Sequence, residues 1–100
     1  MKTKFNGILT LFFAFAVQIT FAQEKTISGT ISDESGVLPG VSIIIRGTNA
    51  GTETDFNGKY TIKARTGNVL VFRYLGYKSV SKTIGNSNSL NITLQQDANV

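Results

Sequence analysis

From Lys25 onward apolar and polar residues alternate in short runs with a period of two, and no segment repeats at 3.6 residues, so the pattern predicts strands and not helices. Lys25 to Ser32 (KTISGTIS) sets Ile27, Gly29 and Ile31 on one side and Thr26, Ser28, Thr30 and Ser32 on the other, as in a half-buried strand. Val41 to Arg46 (VSIIIR) carries Val41, Ile43 and Ile45 on one face, and Ile44 on the opposite face predicts that this second side is partly covered. Gly51 to Thr54 has no large apolar residue and fits a short edge strand, where small polar residues are tolerated. Lys59 to Ala64 alternates with Tyr60, Ile62 and Ala64 together. Val69 to Leu75 (VLVFRYL) is the richest β run, with Leu70, Phe72 and Tyr74 pointing one way and Val69, Val71 and Arg73 the other, and is expected to be a central strand. Tyr77 to Thr83 alternates again, and Leu90, Ile92 and Leu94 mark the last strand.

Breaks separate these runs at Asp33-Glu34-Ser35-Gly36, Leu38-Pro39-Gly40, Thr66-Gly67-Asn68, Gly76 and Gly85 to Ser89. The sharpest is Asp55-Phe56-Asn57-Gly58, because Asn57 and Gly58 are residue types that accept positive φ cheaply and so close a tight turn. About seven short strands with turns every eight to twelve residues or so predict an all-β fold, a small antiparallel β-sandwich with two packed sheets.

The first 22 residues do not follow this pattern. Lys2 and Lys4 precede an apolar stretch from Ile8 to Val17, and Thr20-Phe21-Ala22 approximates a small-x-small cleavage site, so residues 1–22 are expected to be a signal peptide cut before Gln23. The apolar run is shorter than the roughly 20 residues a membrane span needs. Residues 23–96 are then the β domain, and residues 97–100 a frayed end or the start of a linker. A domain of this size buries a single small core and has no room for an interdomain cleft.

Composition narrows the chemistry. The formal charge of +4 shrinks once the leader is set aside, leaving eight basic residues (Lys25, Arg46, Lys59, Lys63, Arg65, Arg73, Lys78, Lys82) against six acidic ones. These are spread along the chain instead of forming a run, which argues against a nucleic-acid footprint. Cys and His are absent, removing thiol nucleophiles, imidazole bases, disulfides and the usual transition-metal ligands. Asp55, Asn57 and Gly58 have the opening spacing of a calcium loop, but Lys59, Lys63 and Arg65 follow where further oxygen ligands are needed, so these residues are expected to form a structural turn. Asp33 and Glu34 are adjacent carboxylates at a strand end, read as a solvated turn and not an acid/base pair. No serine has a histidine to activate it, and no Gly-x-Ser-x-Gly elbow occurs. No catalytic, cofactor or metal site is expected. Tyr74 and Tyr77, flanking Gly76, leave two readings open: an exposed aromatic platform contacting a sugar or partner, or core plus rim of a small sandwich.

Five separated blocks recur together: Ile27 to Asp33 (ISGTISD), Leu38 to Ile43 (LPGVSI), Gly47-Thr48 with Gly51-Thr52, Thr54 to Tyr60 (TDFNGKY) and Leu70 to Tyr77 (LVFRYLGY). In order and spacing these resemble the carboxypeptidase-regulatory-like domain, and more narrowly the copy at the N-terminus of SusC/RagA-type TonB-linked outer-membrane receptors. That resemblance implies a Greek-key, transthyretin-like (prealbumin-like) sandwich. It would be exported to the periplasmic face of the outer membrane, ahead of a plug and barrel that import glycans or peptides with TonB and SusD-type partners. It implies a non-catalytic accessory or regulatory module that reaches the membrane only through its receptor. The alternative is a free-standing exported β-sandwich that binds or scaffolds, contacting carbohydrate through Tyr74 and Tyr77.

Overall fold

The computed structural model describes residues 23–97, and within them every regular element is a strand. The expected leader over residues 1–22 and most of the expected tail, residues 98–100, lie outside the described residues. The strands are β1 (Lys25–Asp33), β2 (Gly36–Val37), β3 (Ser42–Ile45), β4 (Gly51–Glu53), β5 (Lys59–Ala64), β6 (Val69–Arg73), β7 (Val80–Thr83) and β8 (Ile92–Thr93). They form two four-stranded sheets, as the alternation predicts for a sandwich.

In the first sheet β1 is the central strand. One edge pairs with β5 from Lys25 to Thr30 and then, beyond Ile31, with β2; the other edge pairs with β8. The second sheet has the order β4-β3-β6-β7, which places β6 in the interior and β4 at an edge, as expected from their residues. The core lies between the sheets, filled from β1 by Ile27 and Ile31, from β3 by Ile43 and Ile45, from β5 by Tyr60, Ile62 and Ala64, and from β6 by Leu70 and Phe72. Each large aliphatic or aromatic side chain so buried is worth roughly 1.5–3 kcal/mol, so the alternation is the main source of stability. Tyr60 and Phe72 meet edge to face with centroids 5.8 Å apart.

The structure departs from the expected pattern in four places. There are eight strands, because the two residues of β2 pair antiparallel with the end of β1. One pairing is parallel: β8 runs alongside β1, with Ile31 opposite Ile92 and Ser32 opposite Thr93. The strand expected from Tyr77 begins only at Val80, since the backbone of Tyr77 bridges to Gln96 instead. Val71, expected on the outward face of β6, is buried there. It sits in a row with Ile44 on β3 and Ser81 on β7, and the Arg46 guanidinium reaches across β6 to donate to Ser81 Oγ at 2.8 Å, so an arginine stem covers the apolar row.

Two glycines explain how the layers close. Gly29 lies opposite Tyr60 in the β1–β5 ladder, and a Cβ there would stand 1.9 Å from the Leu90 carbonyl oxygen. The missing side chain lets Tyr60 lie across β1 and donate its hydroxyl to that oxygen at 2.7 Å, and burial pushes the Tyr60 phenol up to about 12. Gly58 takes φ +72°, and a Cβ there would meet Ile31 O at 2.7 Å and Val37 Cβ at 2.8 Å. Its carbonyl accepts from Ile31 N, so the corner between β4 and β5 is clamped onto β1.

Candidate interaction site

The strand directions sort the connections into two ends. β1 and β6 run toward one end and β3, β5 and β7 away from it, so residues 33–41, 54–58, 74–79 and 94–97 gather there. The described chain leaves from this exit end. Residues 46–50, 65–68 and 84–89 lie at the other.

At the exit end Asp33 organises the first connection. Its Oδ1 accepts from Ser35 N at 2.8 Å and Gly36 N at 3.0 Å, an Asx-type turn that starts β2. Its Oδ2 accepts from the Tyr77 hydroxyl at 2.6 Å. That bond, with the two backbone donors, lowers the Asp33 carboxyl below its usual range, and the same bond raises the Tyr77 phenol. The carboxylate is therefore a bonding partner of a residue 44 positions away, and not only the solvated turn its sequence suggests.

The break at Leu38-Pro39-Gly40 is held by Thr54, a buried polar side chain. Its hydroxyl donates to Leu38 O at 2.6 Å and accepts from Val41 N at 2.9 Å, satisfying two backbone groups that no strand pairs. Next to it, Asp55 to Gly58 closes with Gly58 N donating to Asp55 O at 2.9 Å. Asp55 Oδ1 accepts from Asn57 N and Lys59 N at 2.8 and 3.0 Å, so this carboxylate oxygen is committed to backbone. Only Gly58 takes positive φ; Asn57 does not, which is the geometry of a type I turn followed by a glycine bulge. The turn joins the two sheets and is not a hairpin within one.

Tyr74-Leu75-Gly76-Tyr77 is a second turn, closed by Tyr77 N donating to Tyr74 O at 3.0 Å with Gly76 at φ +86°, the type II pattern. The rings of Tyr74 and Tyr77 lie 5.4 Å apart and tilted by 42°, half-buried and packed on the core. The same turn grips the departing chain: Asp97 N donates to Gly76 O and Lys78 N donates to Gln95 O, both at 2.9 Å. A groove of about 620 Å³ runs beside it, lined by Asp33 to Ser35 and Thr93 to Asp97. Among the described residues no group of three or more His, Cys, Asp and Glu side chains is placed to hold a metal.

All three exposed large hydrophobic residues among those described are at this end: Val37 at 49 %, Phe56 at 93 % and Leu75 at 95 % exposure. The opposite end has none. It gathers Lys25, Arg46, Lys63, Arg65 and Lys82, with Glu24 the one acidic residue near them. Five of the eight basic residues scattered along the sequence are thus brought to one end by the fold, while Lys59, Arg73 and Lys78 lie at the exit end. The arrangement at either end offers contact surface.

Comparison with known proteins agrees with the geometry. The family model described as the CarboxypepD_reg-like domain matches residues 27–100. The chain is 48% identical over 73 residues to TonB-dependent receptor P26 of Formosa agariphila, covering 73% of this chain and 7% of the receptor. It is 38% identical to TonB-dependent receptor P3 of the same organism, covering 99% and 11% respectively. It is 30% identical to TonB-dependent receptor SusC of Bacteroides thetaiotaomicron, covering 80% and 8%. The chain thus spans about a tenth or less of the length of these curated relatives. Among solved structures, a chain of a type II cohesin–X–dockerin complex from Acetivibrio cellulolyticus superposes with a TM-score of 0.59 at 18% identity, over 72% of this chain and 58% of that one, a likeness of fold.

Proposed function

The chain belongs to the CarboxypepD_reg-like domain family, and from that premise we propose that it is the front module of a SusC-type TonB-dependent receptor, acting by contact and not by reaction. The observation that carries this reading is the lopsided coverage: receptors match 73% to 99% of this chain while the chain accounts for only 7% to 11% of them. A module so placed would sit on the periplasmic face of the outer membrane after removal of residues 1–22. It would reach the plug and barrel, and any TonB or SusD-type partner, through the polypeptide that follows. Its role is accessory or regulatory. The lack of Cys and His in the sequence, and the commitment of the Asp33 and Asp55 carboxylates to turn hydrogen bonds, support that assignment, and transport would be the work of the remaining nine-tenths.

The test is genetic. The open reading frame should continue past Val100 into a plug and barrel, and in-frame removal of residues 23–97 from that gene should leave the barrel in the outer membrane while altering the rate of nutrient uptake. Uptake unchanged at equal receptor abundance would contradict an accessory role.

A further inference from the structure

We infer that the exit end of the sandwich, through Phe56, Leu75 and Val37, docks against the polypeptide that follows residue 97 in the same receptor molecule, which makes this end an intramolecular interface. The inference rests on the front-module reading and adds to it the face that is used and what covers it.

The molecule supplies its own control. Four connections outside the strand ladders close with a residue i+3 backbone N–H donating to the carbonyl of residue i, Ile45 to Thr48, Asp55 to Gly58, Arg65 to Asn68 and Tyr74 to Tyr77, and a fifth tight turn, Glu34-Ser35, joins the paired residues Asp33 and Gly36 of β1 and β2. The second residue of such a turn is its outermost point, and the geometry there asks for a suitable φ and for nothing apolar. At the end remote from the exit those positions hold Arg46 and Thr66, the ordinary choice for a wetted tip. At the exit end the Glu34 tip is polar in the same way, but the other two tips hold Phe56 and Leu75, each more than nine-tenths exposed. The Leu75 turn shares with both far-end turns a positive-φ glycine next in line, Gly76 as against Gly47 and Gly67, so for that turn the backbones match and the side chain at the tip is what differs. Turn formation does not explain the two apolar tips. Neither does the core, which they do not enter.

The occupant follows from where the chain goes. The turn that presents Leu75 also holds the departing segment, through Gly76 O and the Tyr77 to Gln96 bridge, and Lys78 N ties down Gln95. The last described residue, Asp97, is thus held at the turn that presents Leu75. A short tether gives such a segment an effective concentration of about millimolar against the neighbouring surface, so a modest apolar contact suffices to hold it. A second copy of the chain has no such advantage. Charge gives it little pull either, because the acidic residues Asp33, Glu34, Glu53 and Asp55 of the exit end are interspersed with Lys59, Arg73 and Lys78.

The experiment places a photo-crosslinking amino acid, p-benzoylphenylalanine, at position 56 or 75 of the full-length gene product in its own cells, with position 66 as the matched tip at the opposite end. The expected result is crosslinks from 56 and 75 to peptides of the same polypeptide beyond residue 100, at about tenfold or greater yield than from 66. Equal yields from both ends, crosslinks to a second copy or to a separate protein, or no crosslink from 56 and 75 would each overturn the docking. The intact mass of the unmodified gene product separates the two failures: a product ending near residue 100 sinks the front-module reading itself, whereas a long product with no exit-end crosslinks sinks only the docking.

Discussion

At the exit end, turns closed by the same backbone hydrogen bond as those at the far end carry Phe56 and Leu75 where the far end carries Arg46 and Thr66. Both ends are tied by long-range bonds, Tyr77 to Asp33, Thr54 to Leu38 and Val41 and the grip on Gln95 and Asp97 at the exit, and Lys25 and Thr66 to Gly85 and Gly67 to Ile84 at the other. The far end is a set of loops rich in lysine and arginine and free of large exposed hydrophobics. The Leu75 turn shares its backbone with the two far-end turns, so there the difference is side-chain chemistry that folding does not demand. That makes the contrast a guide to contact and not to stability.

The contrast can be broken most forcefully at glycine. Gly58 and Gly67 both take positive φ, but a Cβ at Gly58 would strike Ile31 O and Val37, whereas at Gly67 nothing lies within 4 Å. Gly67→Ala should cost only the left-handed backbone strain, about 1–2 kcal/mol. Gly58→Ala adds overpacking against a strand backbone and should cost about 3–4 kcal/mol in all. Urea unfolding of the two variants side by side measures the difference, and equal losses would mean that the exit end is not the tighter of the two.

A smaller effect is expected from Thr54→Val, which keeps the shape and removes the hydroxyl. Leu38 O and Val41 N then lose their buried partner, costing about 1–3 kcal/mol, while Thr54→Ser should retain most of the stability. A Thr54→Val protein as stable as Thr54→Ser would show that water replaces the bond.

The Tyr77–Asp33 pair sharpens the comparison through pH. Because the folded Asp33 carboxyl titrates below its ordinary value of 3.8, its contribution is fully present above that value and is lost as pH falls through the lowered one. The Tyr77 phenol is raised, so its contribution is present below 10 and is lost as pH rises above it. Tyr77→Phe removes the largest cause of the Asp33 shift and should make the acid loss of melting temperature shallower, leaving the part due to Ser35 N and Gly36 N. An unchanged acid limb would mean the bond is not maintained in solution. The smallest effect on stability belongs to the paired change Phe56→Ser with Leu75→Ser. Because both side chains are almost wholly exposed, the melting midpoint of the isolated chain should shift by no more than about 0.5 kcal/mol equivalent. A large loss would show that these tips support the fold after all.

The residues that could be placed by reading along the chain are those whose neighbours decide their environment. Ile27, Ile31, Ile43, Ile45, Tyr60, Ile62, Leu70 and Phe72 fall on the buried face that two-residue alternation assigns them, because adjacent side chains of a strand must point apart whatever the strand pairs with. Gly58 is visible as a turn glycine for the same local reason. Absence of Cys and His likewise removes whole classes of chemistry before any folding is considered.

What the chain order could not contain is which edge meets which. Every strand edge offers the same backbone donors and acceptors, so the parallel seating of β8 on β1, the two-residue β2 and the sheet switch at Asp55 to Gly58 depend on packing between segments tens of residues apart. The Tyr77–Asp33 bond and the gathering of Lys25, Arg46, Lys63, Arg65 and Lys82 at one end are of this kind. They arise only when strand direction carries distant residues to the same end of the sandwich, and that same sorting is what sets Phe56 and Leu75 beside the departing chain.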